Sequence, residues 1–223
     1  MTPFPVILSS PSGGGKTTIR KELLSLRADM GYSVSATTRM PRHAEVEGKD
    51  YHFLTTGEFL ARRERGEFAE SAEVHGRLYG TLRREVSRVL ESGRHVILDI
   101  DVQGAAQIVQ AFPESVSIFL LPPSIDVLLT RLTARKTEDL SDLKVRLHDA
   151  RVELGAVERY QYVVVNDDLS RAVRDVSAIV DAECTRRDRV LTLNDRIEQL
   201  IAGLDERVAT LTERAAIQDK LGS

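Results

Sequence analysis

The chain has 223 residues, a formal net charge of −3, 42% hydrophobic residues and 29% charged residues. This composition excludes a disordered or low-complexity chain and predicts one domain, with room for an insert or a tail. No apolar run is long enough to predict a membrane span, and the first residues lack the basic leader of a signal peptide. Because Cys184 is the only cysteine and the net charge is not basic, we expect a cytoplasmic protein with no membrane and no nucleic-acid partner.

Short apolar runs alternate with helical patterns along most of the chain. A buried strand is expected over residues 4–8, followed by a glycine-rich loop and a helix that begins near Lys16. Later runs predict strands over 95–100, 116–121 and 162–165, and helices over 102–111, from Ser124 to about Arg135, and from Leu169 onward. Strands that are apolar throughout and separated by helices are typical of a parallel sheet covered on both faces.

Residues 34–84 break this rhythm. The segments 34–37 and 50–53 alternate as strands with one exposed face, and Thr55-x-x-Glu58 predicts a capping box before a short helix. We therefore expect a small mixed insert. Residues 136–150 are polar, and we expect them to form a mobile segment between two helices.

The segment 10–17, Ser-Pro-Ser-Gly-Gly-Gly-Lys-Thr, lies between the first predicted strand and helix, which is the context of a phosphate-binding loop. Glycines let backbone N–H groups converge on phosphate oxygens, and the helix N-terminus adds positive potential. Lys16 would place a cation on the outer phosphates, and the Thr17 hydroxyl can ligate Mg²⁺. The usual pattern begins with glycine where this chain has Ser10, and the alternative interpretation is a flexible glycine turn.

Asp99 ends the apolar run 96–98, where a carboxylate at the end of a central strand can be a partner of Mg²⁺. The alternative for an aspartate at a strand end is a cap on the following helix. The histidines show no metal-site spacing, so they are interpreted as structural or surface residues.

Two clusters in the insert predict a second nucleotide site. Arg39 and Arg42 lie three apart, and with Ser35 and Tyr51 they could bind a second phosphate through guanidinium forks, a hydroxyl and a phenol. For any arginine pair alone, a solvated surface position is the commoner explanation.

The second cluster is Glu70 with Tyr79-Gly80-Thr81. A carboxylate accepts two parallel N–H bonds, which matches guanine, whereas adenine lacks that donor pair on the same edge. A glutamate alone on an exposed strand would only add solubility.

The chain resembles the guanylate kinase family from about Val6 to about Val180. The matching segments, in order, are 9–18 (SSPSGGGKTT), 34–42 (VSATTRMPR), 47–53 (EGKDYHF), 97–104 (ILDIDVQG) and 165–168 (VNDD). The resemblance implies an α/β fold: a P-loop NTPase core with a parallel sheet flanked by helices, a small mixed α+β GMP-binding insert and a helical lid. The expected boundaries are 1–33 and 85–189 for the core, with a lid at about 136–150, 34–84 for the insert and 190–223 for a C-terminal tail.

The resemblance also implies a role for each matching residue. The catalytic set is Lys16, Arg39, Arg42, Arg131, Arg135 and Arg146. The ATP-binding set is Ser10, Pro11, Ser12, Gly13, Gly14, Gly15, Lys16, Thr17, Thr18 and Asn166. The GMP-binding set is Ser35, Arg39, Arg42, Tyr51 and Tyr79 at the phosphate and Glu70, Thr81 and Asp101 at the guanine. Thr17 and Asp99 are implied at Mg²⁺, the cofactor expected with ATP. Thr81 stands where the family often has serine, and Arg135-Lys136-Thr137 lacks the glycine usual in that turn, which leaves the details of lid closure open.

These residues imply transfer of a phosphoryl group from ATP to GMP or dGMP, giving ADP and GDP. No catalytic base is assigned, because a phosphate monoester with a second pKa of about 6 is already mostly ionised at neutral pH. One alternative is another nucleotide or sugar-phosphate kinase on this fold, against which Glu70 and Thr81 argue. Another is a non-catalytic protein-binding module, against which the presence of Lys16, Thr17 and Asp99 argues.

The C-terminal tail carries an apolar stripe at alternating steps of four and three, formed by Ile197, Ile201, Leu204, Val208, Leu211 and Ala215. This spacing predicts one amphipathic helix over residues 190–218. Such a stripe commonly packs back on a core, and it can also pair with a second chain. We expect that it helps to form a homodimer.

Overall fold

The computed structural model describes residues 2–74, 76–133 and 140–221. Its strands are β1 (Pro5–Ser9), β2 (Met30–Tyr32), β3 (Ser35–Thr37), β4 (His52–Phe53), β5 (Phe68–Val74), β6 (Arg77–Leu82), β7 (His95–Asp99), β8 (Val116–Leu121) and β9 (Tyr162–Val165). Its α-helices are α1 (Lys16–Leu26), α2 (Thr56–Glu64), α3 (Arg83–Glu91), α4 (Val102–Ala111), α5 (Ile125–Thr133), α6 (Leu140–Gly155), α7 (Leu169–Cys184) and α8 (Leu193–Leu221). Two units divide the chain, one spanning Pro3–Ala182 and the other containing the residues from Glu183 onward.

The first unit is built on a five-stranded parallel sheet with the order β2-β7-β1-β8-β9. Its central strands read as continuous apolar runs because helices cover both faces, and Val6, Ile7 and Leu8 of β1 have no exposed surface. The predicted parallel sheet and its flanking helices are confirmed. In this order Leu8 pairs with Asp99, so the loop that follows β1 lies beside the end of β7.

A second sheet has the order β4-β3-β6-β5 and contains two antiparallel pairs, as the mixed pattern predicts. Its core joins sheet and helix through Phe59 and Phe68, whose rings stack with centroids 4.3 Å apart. The predicted capping box is present, since Thr55 accepts from the Glu58 backbone N–H and Glu58 accepts from the Thr55 N–H. This sheet therefore forms a separate small layer within the first unit.

Some elements differ from the expectations. Residues 140–150 were expected in a mobile segment, and they instead belong to α6, whose buried Ala150 packs with Leu128 and Leu132 of α5. The remaining residues of that segment, 136–139, lie outside the described part of the chain.

Helix α8 confirms the prediction of one long C-terminal helix. Across the residues that the structure describes, no helix combines the length and the apolar character needed to cross a membrane.

Candidate active site

The loop between β1 and α1 has the geometry of a phosphate cradle. Gly13 and Gly15 have φ angles of 79° and 93°, which L side chains rarely adopt. A Cβ at Gly14 would lie 2.3 Å from Ser10 Oγ, so this position has no room for a side chain. The predicted run of glycines is thus required by the backbone conformation and by close approach.

Ser10, which replaces the usual first glycine, takes part in the loop's hydrogen bonds. Its Oγ donates to the Pro11 carbonyl at 2.9 Å, and Lys16 Nζ lies 2.8 Å from the Ser10 carbonyl and 3.3 Å from its Oγ. Burial lowers the pKa of Lys16, while the carboxylates of Glu153, Asp99 and Asp101 favour its charged form. The Lys16 side chain therefore folds back over its own loop, and its ammonium group lies where an anionic ligand of the loop could meet it.

Asn166, which the resemblance places near the adenine of ATP, contacts the phosphate-binding loop in this structure. Its Nδ2 donates to the Gly14 carbonyl at 2.8 Å, and its side chain is almost fully buried. A Cβ at Gly15 would lie 2.5 Å from that nitrogen. The amide therefore supports the loop backbone at its glycine-rich end.

Asp99 does not cap the following helix, which was its alternative interpretation; Asp101 does, accepting from the Gln103 and Gly104 N–H groups. Thr17 Oγ1 donates to Asp99 Oδ2 at 3.2 Å, and Arg20 Nη1 donates to Asp99 Oδ1 at 3.3 Å. A hydroxyl beside one carboxylate fits Mg²⁺, which takes few protein ligands and completes its shell with water and phosphate oxygens. Among the described residues there is no cluster of three or more His, Cys, Asp or Glu side chains that could hold a metal ion.

Two of the three predicted phosphoryl-closing arginines lie against the loop. Arg131 Nη2 donates to the Asn166 carbonyl at 3.1 Å, and its Nη1 is buried without a hydrogen-bond partner. Arg146 is 6% exposed and donates to the Leu132 carbonyl at 2.7 Å. A buried guanidinium nitrogen without a partner is costly unless a ligand completes it, which suits an anion beside Arg131. Arg135 lies outside the described residues, as does Lys136.

The predicted GMP-phosphate residues gather around one arginine. The Arg39 guanidinium lies 5.4 Å from the centre of the Tyr51 ring, and the Tyr51 and Tyr79 rings are 6.1 Å apart. Arg39 Nη2 donates to both carboxylate oxygens of Glu45 at 2.8 and 2.9 Å, and this hydrogen bonding raises the pKa of Arg39. The Tyr51 and Tyr79 rings and the Arg39 guanidinium therefore lie close together, around one site.

The other two predicted phosphate residues are more loosely held. Ser35 pairs with Thr81 across β3 and β6 and is partly buried. Arg42 is exposed, and its backbone N–H donates to Glu45 at 2.8 Å. Glu45 thus orders the segment that carries both arginines.

Two of the predicted guanine readers, Glu70 and Thr81, form a buried pair, and burial together with the carboxylate of the third, Asp101, raises the pKa of Glu70. Glu70 is 5% exposed, and Thr81 Oγ1 donates to its Oε1 at 2.7 Å. Burial raises the pKa of Glu70 from its usual 4.5 to about 7; the Thr81 hydrogen bond lowers it, and the charge of Asp101 raises it further. A Cβ at Gly104 would lie 2.8 Å from Glu70 Oε2, so the absence of a side chain there leaves room for the carboxylate.

Several residues at the site were not predicted from the sequence. Arg20 donates to Asp99 and lies 3.9 Å from the centre of the Tyr32 ring. Glu45 accepts from Arg39, and Glu153 accepts from the Ser12 N–H of the loop. Nothing in the local pattern distinguishes these charged residues from solvated surface residues, because each contact depends on how distant elements pack.

Comparisons of the sequence and of the fold with known proteins find similar guanylate kinases. A sequence model described as guanylate kinase matches residues 2–183. The guanylate kinase of Nitrosospira multiformis is 44% identical over 177 residues, which are 79% of this chain and 84% of that protein. The guanylate kinase of Maricaulis maris is 47% identical over 183 residues, 82% of this chain and 84% of that protein. A crystal structure of guanylate kinase from Anaplasma phagocytophilum matches with a TM-score of 0.73 and 34% identity, covering 89% of this chain and 95% of that one. The chain belongs to the guanylate kinase family.

Proposed function

We propose that this protein is an ATP:GMP phosphotransferase that converts ATP and GMP, or dGMP, into ADP and GDP in purine nucleotide metabolism. The observation that carries the choice of acceptor is the buried Glu70–Thr81 pair, which offers a carboxylate to a base with two adjacent N–H donors. Adenine has no such donor pair, so the site discriminates through unpaired polar groups when the wrong base enters.

At the ATP end, the cradle formed by residues 10–17 holds the phosphates. Lys16 and the arginines at positions 131, 135 and 146 are proposed to neutralise the charge that the transferring phosphoryl group spreads over its oxygens. The unpaired Nη1 of Arg131 supports this role, because a phosphate oxygen would supply its missing partner.

At the GMP end, Arg39 and Arg42 with Ser35, Tyr51 and Tyr79 are proposed to bind the acceptor phosphate. A phosphate dianion there competes with Glu45 for the Arg39 fork. Transfer then depends on holding the acceptor phosphate in line with the ATP γ-phosphate. No general base is needed, because the acceptor phosphate is already ionised.

Thr17 and Asp99 are proposed to hold Mg²⁺, Thr17 through its hydroxyl and Asp99 through its carboxylate. An ion held by these two residues would supply positive charge against the phosphate groups. Arg20 donates to the other carboxylate oxygen, Oδ1, so Oδ2 of Asp99 is the oxygen on the side of Thr17.

We also propose the division of labour that the sequence suggests. The core over 1–33 and 85–189 binds ATP, the insert over 34–84 binds GMP, and a lid at about 136–150 closes on both. A cytoplasmic location remains a prediction, based on the single cysteine.

The test of this function is ADP production from ATP and Mg²⁺ with a panel of nucleoside monophosphates. GMP and dGMP should support turnover, whereas AMP, CMP and UMP should give rates near the background without acceptor. Equal turnover of AMP would refute guanine selection. ATP binding without turnover on any acceptor would favour a protein-binding module.

We further propose that the chain forms a homodimer through α8. The stripe residues Ile197, Ile201, Leu204, Val208 and Leu211 are between 44% and 64% exposed. With β-branched residues at the a positions, 201 and 208, and leucine at the d positions, 204 and 211, the stripe has the pattern of a parallel two-stranded coiled coil. An antiparallel pair would set the acidic e positions, 198 and 205, and the basic g positions, 207 and 214, against their own kind.

Light scattering on the full chain tests this homodimer. Leu204→Glu should convert a dimer into a monomer, because it places two carboxylates in the seam. The matched control Ala209→Glu adds the same charge at an exposed position outside the stripe and should leave the dimer intact. A monomeric wild-type chain, or a dimer that survives Leu204→Glu, would contradict the proposal.

A further inference from the structure

Helix α6 carries a carboxylate that reaches the phosphate-binding loop. Glu153 Oε2 accepts a hydrogen bond from the Ser12 backbone N–H at 3.0 Å, across 141 positions of sequence. Burial raises the pKa of Glu153, and the positive charge of Lys16 is the largest influence that lowers it. The carboxylate is thus partly buried and close to the loop's own cation, unlike a solvated surface glutamate.

The same face of α6 contacts Ser12 a second time. Arg146 stands seven positions before Glu153, which is two helical turns, so the two side chains lie on one face. Arg146 Nη1 donates to the Leu132 carbonyl at the end of α5, and its Nη2 lies 3.5 Å from Ser12 Oγ. Helix α6 therefore holds both the backbone and the side chain of one loop residue.

The Ser12 N–H bonds to Glu153, whereas other groups of the loop bond to one another or to Asn166. The Gly14 N–H donates to the Pro11 carbonyl at 2.8 Å, and the Gly14 carbonyl accepts from Asn166. These bonds fix the ends of the turn from Pro11 to Gly14. The Glu153 carboxylate orients the peptide between Pro11 and Ser12. The orientation of this peptide in turn affects the directions of the N–H groups that follow it in the loop.

We propose that Glu153 is a positioning residue for ATP, which orients the phosphate-binding loop by accepting the Ser12 N–H. The inference rests on the proposed function only in taking ATP as the ligand of this loop. Glu153 is not assigned a contact with either nucleotide, and it acts through the loop backbone.

The experiment is titration calorimetry of ATP and, separately, of GMP with the full chain and three variants. Glu153→Ala removes the acceptor, and ATP should bind about tenfold more weakly, the effect of losing one charge-assisted hydrogen bond. Glu153→Gln keeps an acceptor oxygen and removes the charge, so it should bind ATP within about threefold of wild type. GMP affinity should be unchanged in both, and Glu158→Ala, an exposed glutamate just beyond α6, is the matched control.

Each outcome bears on the proposal. Selective loss of ATP affinity in Glu153→Ala, with rescue in Glu153→Gln, supports it. Wild-type ATP affinity in Glu153→Ala overturns it. Equal losses of ATP and GMP affinity also overturn it, because they indicate a general structural role. Failure of Glu153→Gln to rescue overturns it as well, because the effect would then come from the charge and not from the accepted hydrogen bond. A wild-type chain that binds neither nucleotide would instead refute the proposed function.

Discussion

Glu70→Gln separates the binding role of this side chain from its effect on stability. The substitution keeps the shape of a side chain that is 5% exposed and bonded to Thr81. It replaces two equivalent acceptors by one acceptor and one donor, and that donor would face the donors of guanine. The change should therefore weaken GMP use while leaving the core intact.

The loss can be sized from the hydrogen bonds. Two charge-assisted bonds at about 1.5 kcal/mol each come to about 3 kcal/mol, which is about a hundredfold in kcat/KM for GMP. ATP affinity should not change, because the side chain of Glu70 is bonded to Thr81 of β6 and not to the loop formed by residues 10–17.

Stability should move in the opposite direction. The pKa of Glu70 is raised from 4.5 in the unfolded chain to about 7, so the folded chain binds this proton more tightly. The resulting stabilisation is fully present below pH 4.5 and is lost as the pH rises through 7, a change of about 3 kcal/mol. At pH 8 the neutral glutamine avoids this loss, so the variant should unfold at higher temperature than the wild type, with the gap closing toward pH 5.

Steady-state kinetics with GMP and AMP, together with thermal unfolding at pH 5 and pH 8, measures both effects. Unchanged GMP turnover and selectivity would show that Glu70 does not read the base. A variant that is less stable than the wild type at pH 8 would refute the assignment of a buried carboxylate with a raised pKa.

Three further predictions concern charge at the site. Lys16→Ala should lower kcat at least about a hundredfold with no loss of fold by circular dichroism, and near-normal turnover would contradict its role on the phosphates. Between pH 8 and pH 6 the Kd of the wild type for GMP should rise about tenfold more than the Kd of Glu70→Gln. The reason is that protonation of Glu70, whose pKa is about 7, removes the carboxylate that binds guanine. The same pH profile in both proteins would exclude Glu70 as the titrating group. Arg135→Ala should lower kcat more than it weakens ATP binding, whereas Lys136→Gly should have a modest effect, and an inactive Lys136→Gly enzyme would assign that lysine an unforeseen phosphate role.

The parallel core was predictable because burial on both faces leaves a plain signal in the sequence. Strand β8 and helix α4 have the predicted bounds, since each is a clear run closed by turn residues. Strand β2 has only three residues with Gly31 at its centre, too few for any periodicity. It is placed by pairing with β7, a contact that no local pattern encodes.

The candidate site was predictable where chemistry requires a fixed spacing. The cradle of residues 10–17 depends on glycines at adjacent positions, and the structure shows why each is needed. The partners of the site residues were not predictable. Asn166 bonds to Gly14, and Glu153 bonds to Ser12, only because elements distant in sequence pack against the loop.

The central claim is direct transfer of the terminal phosphoryl group from ATP to GMP. Incubating the protein with Mg²⁺, GMP and ATP labelled in its γ-phosphate, and separating the nucleotides, follows that group itself. The account predicts that the label appears in GDP, with one GDP formed for each ADP, and that omitting GMP stops its release. Label recovered as inorganic phosphate at the same rate with or without GMP would contradict the account.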